Sequence, residues 1–247
     1  MSRNVKGIVL AGGMGTRLFP LTRVTNKHLL PVGRKPMIMH CVDKLTEGGV
    51  AEIMVITGPE HMGAIVNLLG SGKDYKCQFT YRVQDEAGGI AQALGLCAAF
   101  VGQDHCCVIL GDNMFTAPLT SYVQRFSKVD KGAMILLKRV HDPGRYGVAE
   151  LSPDRKRVLG IVEKPKQPKS DYAVTGIYFY DAAVFPVIRT LKPSGRGELE
   201  ITDVNNHYIS TGQLLWDELP GEWTDAGTFE SLLKANEIMA QAERKQV

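Results

Sequence analysis

No stretch of the sequence approaches the run of about 20 apolar residues needed to cross a bilayer. The opening segment MSRNVKGIVLAGG has a basic start, but its apolar run is too short for a secretory signal. Five cysteines (Cys41, Cys77, Cys97, Cys106, Cys107) form neither a CxxC pair nor a metal-ligand spacing. That pattern excludes a zinc-ribbon type of site and a disulfide framework, and it reads as free, mostly buried thiols in a reducing compartment. The six histidines are scattered, none at a ligand-like separation from another, and are read as structural or surface residues. Charge of one sign is also lacking: a net +3 is too small to imply a nucleic-acid or membrane partner, although it suits small anionic substrates. Linkers, repeats and low-complexity segments are absent, and a cytoplasmic setting is the expectation.

What is present is ordinary globular composition, with 44% hydrophobic and 22% charged residues over 247 positions. That length suits one large α/β domain or two merged ones. The first half alternates strand and helix. Val5–Ala11 is a continuous apolar run that reads as a strand buried on both faces. Helical spacing follows at Pro36–Leu45, a strand at Glu52–Thr57, a helix at Met62–Leu69 and a strand at Gln78–Val83. An Ala-rich helix is expected over Ile90–Phe100, then a strand at Cys106–Leu110. This rhythm calls for parallel strands with helices on both faces. The second half is strand-rich at Met134–Arg139, Val148–Leu151, Val158–Glu163 and Val174–Tyr180, where short connections predict antiparallel pairing. Helices at Ile201–Ser210 and Phe229–Arg244 flank a strand at Leu214–Leu219. The expected architecture is one domain over residues 1–247, with sub-lobes over 1–130 and 131–247. Its cleft should lie at the carboxyl ends of the parallel strands, where open α/β sheets bind ligands.

The strongest chemical signal is Leu10-Ala11-Gly12-Gly13-Met14-Gly15-Thr16-Arg17-Leu18, directly after the first strand. Glycines there let backbone N–H groups approach a phosphate without a Cβ in the way, and Arg17 adds a cation with several donors. The segment is not a dinucleotide fingerprint, which needs a third glycine where Leu18 stands. Nor is it a P-loop, which needs Gly-Lys-Ser/Thr. Asn26-Lys27-His28-Leu29-Leu30-Pro31-Val32 and Lys35-Pro36-Met37 follow it. Further along stand Gly111-Asp112-Asn113, Arg145-Tyr146-Gly147, Glu163-Lys164-Pro165 and Val174-Thr175-Gly176-Ile177-Tyr178. The series closes with Arg196-Gly197-Glu198-Leu199-Glu200-Ile201-Thr202-Asp203 and Trp223-Thr224-Asp225-Ala226-Gly227-Thr228.

With these motifs in this order the chain resembles, nearly end to end, the glucose-1-phosphate thymidylyltransferases of the wider nucleotidyltransferase group. The resemblance implies a three-layer αβα, Rossmann-like fold with a mixed, mainly parallel central sheet. It implies synthesis of dTDP-glucose and pyrophosphate from dTTP and glucose 1-phosphate, with Mg²⁺ held by Asp112 and Asp225. A pair of carboxylates plus substrate phosphates is a typical Mg²⁺ environment. By itself Asp112 also fits an Asx turn or a helix cap, and Asp225 a turn residue ahead of Gly227. Arg17, Lys27 and Lys164 are the implied catalytic cations, Lys27 on the triphosphate and Lys164 on the sugar phosphate. The implied nucleotide site comprises Leu10, Ala11, Gly12, Gly13, Gly15, Thr16, Arg17, Lys27, Gln84, Gly88, Gly89 and Asp112. Gln84 suits the base because an amide offers a donor and an acceptor to thymine's paired N–H and C=O. The implied sugar-phosphate site comprises Asn113, Tyr146, Gly147, Glu163, Lys164, Val174, Thr175, Glu200, Thr202 and Trp223. A core-packing role remains open for Val174 and Tyr146.

Two departures from the family pattern, Met14 and the stretch Asp85-Glu86-Ala87, remove no group the chemistry needs. The chain ends soon after its last helix, where longer relatives continue into an extension that helps build a regulatory nucleotide site. Such a site is therefore not expected here. A homo-oligomer is expected, a tetramer by resemblance. UTP in place of dTTP, or another sugar 1-phosphate, stays open as an alternative, as does a non-catalytic subunit that binds nucleotide-sugars. The five charged residues Arg17, Lys27, Asp112, Lys164 and Asp225 speak against that last reading. No convincing His–carboxylate pair is present, and none is required. A phosphate monoester has a second pKa near ~6 and is already a dianionic nucleophile at neutral pH.

Overall fold

The structure, a computed structural model, describes residues 3–244. The elements run β1 (Val5–Ala11), β2 (Pro31–Val32), β3 (Lys35–Pro36), α1 (Met37–Glu47), β4 (Glu52–Thr57), α2 (Met62–Leu69), β5 (Gln78–Val83), α3 (Ile90–Gly95), α4 (Ala98–Val101), β6 (His105–Leu110) and β7 (Asn113–Phe115). They continue as α5 (Thr120–Phe126), β8 (Ala133–Arg139), β9 (Gly147–Leu151), β10 (Val158–Glu163), β11 (Tyr172–Tyr180), α6 (Val184–Thr190), α7 (Ile201–Ser210), β12 (Leu214–Glu218), β13 (Trp223–Asp225) and α8 (Phe229–Arg244). The last residues of the polar C-terminal end, 245–247, lie outside the described residues. No helix of the described residues is long and apolar enough to cross a membrane.

β1 is apolar at almost every position because helices cover it on both sides. Successive side chains of a strand point to opposite faces. Val9 and Ala11 enter one core with Cys41 and Leu45 of α1, Ile65 of α2, Phe126 of α5 and Ala235 of α8. Ile8 and Leu10 enter the other with Leu94 of α3, Val101 of α4, Val184 of α6 and Val204 of α7. The result is the α/β, three-layer arrangement that the alternating pattern called for. β6, β1, β4 and β5 lie side by side in parallel. β11 joins β6 antiparallel, and β9 and β10 extend the sheet beyond it.

Three features differ from the sequence reading or add to it. The helix expected over Ile90–Phe100 is two short pieces. Around Gly95 the hydrogen bonds tighten to a 3₁₀ pattern, Leu96 N donating to Ala93 O at 3.2 Å and Cys97 N to Leu94 O at 2.9 Å. A glycine there supports helix poorly. In the strand-rich half, β12, whose pairing the sequence left open, runs parallel to β8. The short pair β7 and β13 carries too few residues to show a period, yet it sets Asp225 opposite Asn113.

The site depends on a fork in the sheet. The end of β11 is paired with β6, Ile177 standing opposite Ile109. Its beginning is paired instead with β9, Ala173 standing opposite Val148. At the crossing, Thr175–Gly176, β6 and β9 part, and the register with β8 shifts between Val174 and Tyr178. Asn113, just past the end of β6, reaches into this gap and accepts a hydrogen bond from Gly176 N at 2.9 Å. A Cβ on Gly176 would collide with the Asn113 amide and lie 2.8 Å from Leu110 Cγ. Gly7 is crowded differently, its Cβ position lying 3.0 Å from Ile53 Cγ1 and from Leu45 Cδ1, both core side chains. Overpacking at either position should lower stability by about 1–3 kcal/mol. Gly176→Ala should in addition lower kcat at least about tenfold, whereas Gly7→Ala should leave it within about twofold. Thermal unfolding and turnover measured on both variants check this contrast.

Candidate active site

β1 delivers the glycine-rich turn to the carboxyl edge of the sheet. Gly15 adopts φ +66°, the left-handed region that favours glycine. Its carbonyl accepts from Thr22 Oγ1 at 3.0 Å, and the fully buried Leu18 anchors the short turn that follows. The turn is walled on both sides. A Cβ on Gly12 would lie 2.5 Å from Gln84 Oε1, and one on Gly13 would lie 3.3 Å from Lys27 Cε. Glycine at these two positions lets an amide and a lysine close over the backbone.

Two cavities, of about 230 and 210 Å³, open at this edge and share Ile90, Leu110 and Asp112. The first is lined by Gly12, Gly13, Lys27, Gln84 and Gly89, with Leu10 beneath. Gln84 is 8% exposed, and its Nε2 donates to Gln92 Oε1 at 2.5 Å. The second is lined by Arg17, Asn113, Tyr146, Gly147, Glu163, Lys164, Val174, Thr202, Trp223 and Asp225.

Asn113 organises the seam between them. Its Oδ1 accepts from Gly176 N and from Trp223 Nε1, the latter at 2.8 Å. Its Nδ2 donates to Asp112 Oδ1 at 3.1 Å, while Lys27 Nζ lies 2.5 Å from the other carboxylate oxygen, Oδ2. On β13, Asp225 Oδ1 accepts from Tyr146 Oη at 3.0 Å and faces Arg145 at 3.8 Å. A Cβ on Gly227 would lie 2.9 Å from both Arg17 Nη2 and Asp225 Oδ2, so glycine there lets cation and carboxylate approach. At the far wall, Glu163 Oε2 accepts from Thr202 Oγ1 at 3.0 Å, and Lys164 Nζ is 3.6 Å from Glu163 Oε1. Lys164 holds φ +43°, a strained value for a non-glycine residue. It is fixed there by its N–H on the Tyr146 carbonyl at 3.0 Å.

Residues 6–242 match the profile of the nucleotidyl transferase family over nearly the whole chain. The chain belongs to that family. A glucose-1-phosphate thymidylyltransferase of Neisseria meningitidis is 44% identical over 234 residues, covering 94% of this chain and 81% of its own length. One of Mycolicibacterium smegmatis is 44% identical over 245 residues, covering 98% and 84%. Among solved structures, a candidate glucose-1-phosphate thymidylyltransferase of Bacillus anthracis, in complex with sucrose, superposes with TM-score 0.90 at 58% identity over 94% of each chain. A UDP-glucose pyrophosphorylase complexed with UDP-glucose shares the fold, with TM-score 0.85 at 24% identity over 96% of this chain and 99% of that one.

Not every residue singled out in this nucleotidyl transferase reaches a cavity wall. Ala11 is fully buried in β1. Gly15 and Thr16 line neither cavity, and Gly88 contributes a carbonyl that accepts from Leu199 N at 2.8 Å. Thr175 faces away from the cleft, its hydroxyl donating to Leu136 O at 2.8 Å. Glu200 is tied to Arg196 at 2.8 Å and to Ser194 at 2.7 Å in a neighbouring recess. Conversely, His28, Arg145, Tyr178 and Asn205 line the cavities without having been singled out as site residues. His28, Arg145 and Tyr178 lay within quoted motifs. Asn205 follows Thr202 by three residues on one helix, so the two share a face.

Burial would push the Asp112 carboxyl upward, but Lys27, the neighbouring His28 position and the hydrogen bonds from Lys27 and Asn113 outweigh it and hold the group well below the carboxylate range. Tyr146 is pushed up, by burial first and then by Asp225, and therefore stays a donor. Burial, reinforced by Lys27, depresses His28 to about 3. At neutral pH its ring is uncharged and a poor base. The unfolded chain binds a proton at His28 near pH 6.5 and the folded one does not, so stability falls as pH drops below about 6.5. The His28 contribution is up to ~1.4 kcal/mol per pH unit. Unfolding measured between pH 4 and 7 should show a shallower acid slope in His28→Gln than in the parent, and parallel slopes would contradict the buried neutral ring.

Proposed function

We propose that the protein is a glucose-1-phosphate thymidylyltransferase, an enzyme of nucleotide-sugar biosynthesis that joins dTTP and glucose 1-phosphate into dTDP-glucose with release of pyrophosphate. The observation that carries this reading is the meeting of two chemically different cavities at Asp112. One is walled by glycine backbone, an amide and Lys27, and suits a base and a triphosphate. The other is walled by Glu163, Thr202, Tyr178 and Asn205, with Lys164 and Arg17 at hand, and suits a polyol bearing a phosphate. The names of the 44%-identical relatives support the same substrates.

Asp112, in the turn just before β7, and Asp225, in the paired strand β13, line one cavity. Two carboxylates suit Mg²⁺, which keeps waters and borrows phosphate oxygens rather than sitting in an all-protein cage. In keeping with that, no group of three or more His, Cys, Asp or Glu side chains forms a cage among the described residues. When bound, the ion would neutralise phosphate charge. The chain's own residues do the rest. Lys27 and the glycine turn hold the triphosphate, and Gln84 and Gly89 hold thymine. Glu163 and Thr202 fix sugar hydroxyls, and Lys164 fixes the sugar phosphate. A phosphate oxygen of glucose 1-phosphate attacks the α-phosphorus of dTTP, and pyrophosphate leaves on the opposite side. Two polyanions must be brought together, so positioning and charge neutralisation supply the rate, and no protein base is needed. A homo-oligomer, with a tetramer favoured, and a cytoplasmic setting are proposed on family resemblance.

Pyrophosphate release across a matrix of triphosphates and sugar phosphates tests the reading. The highest kcat/KM is expected for dTTP with glucose 1-phosphate, with UTP lower by about tenfold, since one methyl is worth ~1–3 kcal/mol. Asp112→Asn and Asp225→Asn should each remove most turnover without unfolding the protein. A higher kcat/KM with ATP or CTP would refute the substrate assignment, and near-normal rates in either variant would take that residue out of the metal site.

A further inference from the structure

An amide can read a base in two opposite ways. Turned one way, the Gln84 side chain presents a lone pair to the cavity; turned the other way, it presents N–H donors. Its neighbours fix the turn. Gln84 Nε2 donates to Gln92 Oε1 at 2.5 Å and, at 3.5 Å, to the Gly89 carbonyl. A backbone carbonyl can only accept, so the NH2 end of the Gln84 amide is the end that faces Gly89 and Gln92. Both of its protons are engaged within the protein. Oε1 is the opposite end. It faces the glycine turn, 2.5 Å from where a Cβ on Gly12 would stand, and among the described residues no donor reaches it. Gln92, in α3, lines neither cavity. Its side chain passes over Gly88, where a Cβ would lie 2.9 Å from Gln92 Cδ, so glycine there makes room for its reach to Gln84.

Thymine and uracil carry a proton on ring nitrogen N3, whereas cytosine carries a lone pair there and an amino group beside it. An amide oxygen turned to the base accepts from the first two and repels the third. We propose that Gln92 is a positioning residue that sets pyrimidine selectivity: it holds the Gln84 amide with its oxygen toward the base, so that a base with an N3–H is taken and cytosine is refused. This rests on the thymidylyltransferase reading and deepens it. The donor-and-acceptor role expected of Gln84 narrows to acceptance, and its direction is set by a residue that touches no substrate. Selectivity then depends on a hydrogen bond behind the base site as well as on the groups that line it.

The test compares kcat/KM for dTTP with that for dCTP, at saturating glucose 1-phosphate, in the parent enzyme, Gln92→Leu and Gln92→Glu. Each variant serves as its own reference, so a general loss of activity does not obscure the ratio. The parent should prefer dTTP by at least about a hundredfold, the scale on which a polar site rejects a base that leaves its groups mismatched. In Gln92→Leu, which accepts no proton from Gln84, the preference should fall at least about tenfold. Gln92→Ala, equally unable to accept, takes its place if the Leu variant does not fold. Gln92→Glu, whose carboxylate only accepts, should keep the preference within about threefold of the parent. Rates that drop together for both nucleotides in Gln92→Leu, with the ratio unchanged, would leave Gln92 a packing residue and overturn the inference. A Gln92→Glu ratio that falls as far as that of Gln92→Leu would do the same. A parent that ignores dTTP would overturn the thymidylyltransferase reading itself.

Discussion

The side chain of Asn113 holds together three pieces of chain that lie far apart in sequence, and the cleft exists because it does. Its oxygen accepts from Gly176 at the fork of the sheet and from the Trp223 indole, and its nitrogen steadies Asp112. A buried amide with both ends engaged is worth more than its separate bonds, because removing any partner leaves a polar group stranded in low dielectric. The fork lets β11 serve the nucleotide half at one end and the sugar half at the other. Asn113 closes that fork with a polar plug rather than an apolar one, so the gap stays a binding cleft.

Charge is the second constraint. The substrates are both anions, and the site answers with cations that are held close by carboxylates. Lys27 lies on Asp112, Arg145 beside Asp225, and Lys164 next to Glu163. Lys27 keeps the Asp112 carboxyl ionised, and such pairs hold the cations in place before substrate arrives, so little reorganisation is left for the transition state. The depressed His28 and the elevated Tyr146 belong to the same logic: both stay neutral where another charge would disturb this balance.

Much of this was legible in the sequence. β1 and β4 lie where apolar runs place them, because strands covered on both faces leave no polar alternation to blur their ends. The glycine turn, Lys27, Gln84, Asp112, Glu163, Lys164 and Trp223 line the two cavities that the motifs implied. Illegible were features set by tertiary contact. β7 and β13 are three residues each and exist through their pairing. Thr175 sits within a motif, yet strand alternation turns it toward Leu136 and leaves Val174 and Gly176 to the cleft. His28 carries no ligand spacing, and its burial comes from Asn26 and Gly111, which fold against it.

The central claim is that the attacking phosphate supplies its own dianion and that no group of the protein acts as base. The most direct measurement is kcat/KM against pH for glucose 1-phosphate and for its methylene and difluoromethylene phosphonate analogues, whose second pKa values bracket that of the phosphate. The acid limb should fall with a single proton, and its midpoint should move with the pKa of whichever substrate is used. A midpoint that stays fixed across the three substrates would place the titrating group on the protein and contradict the account.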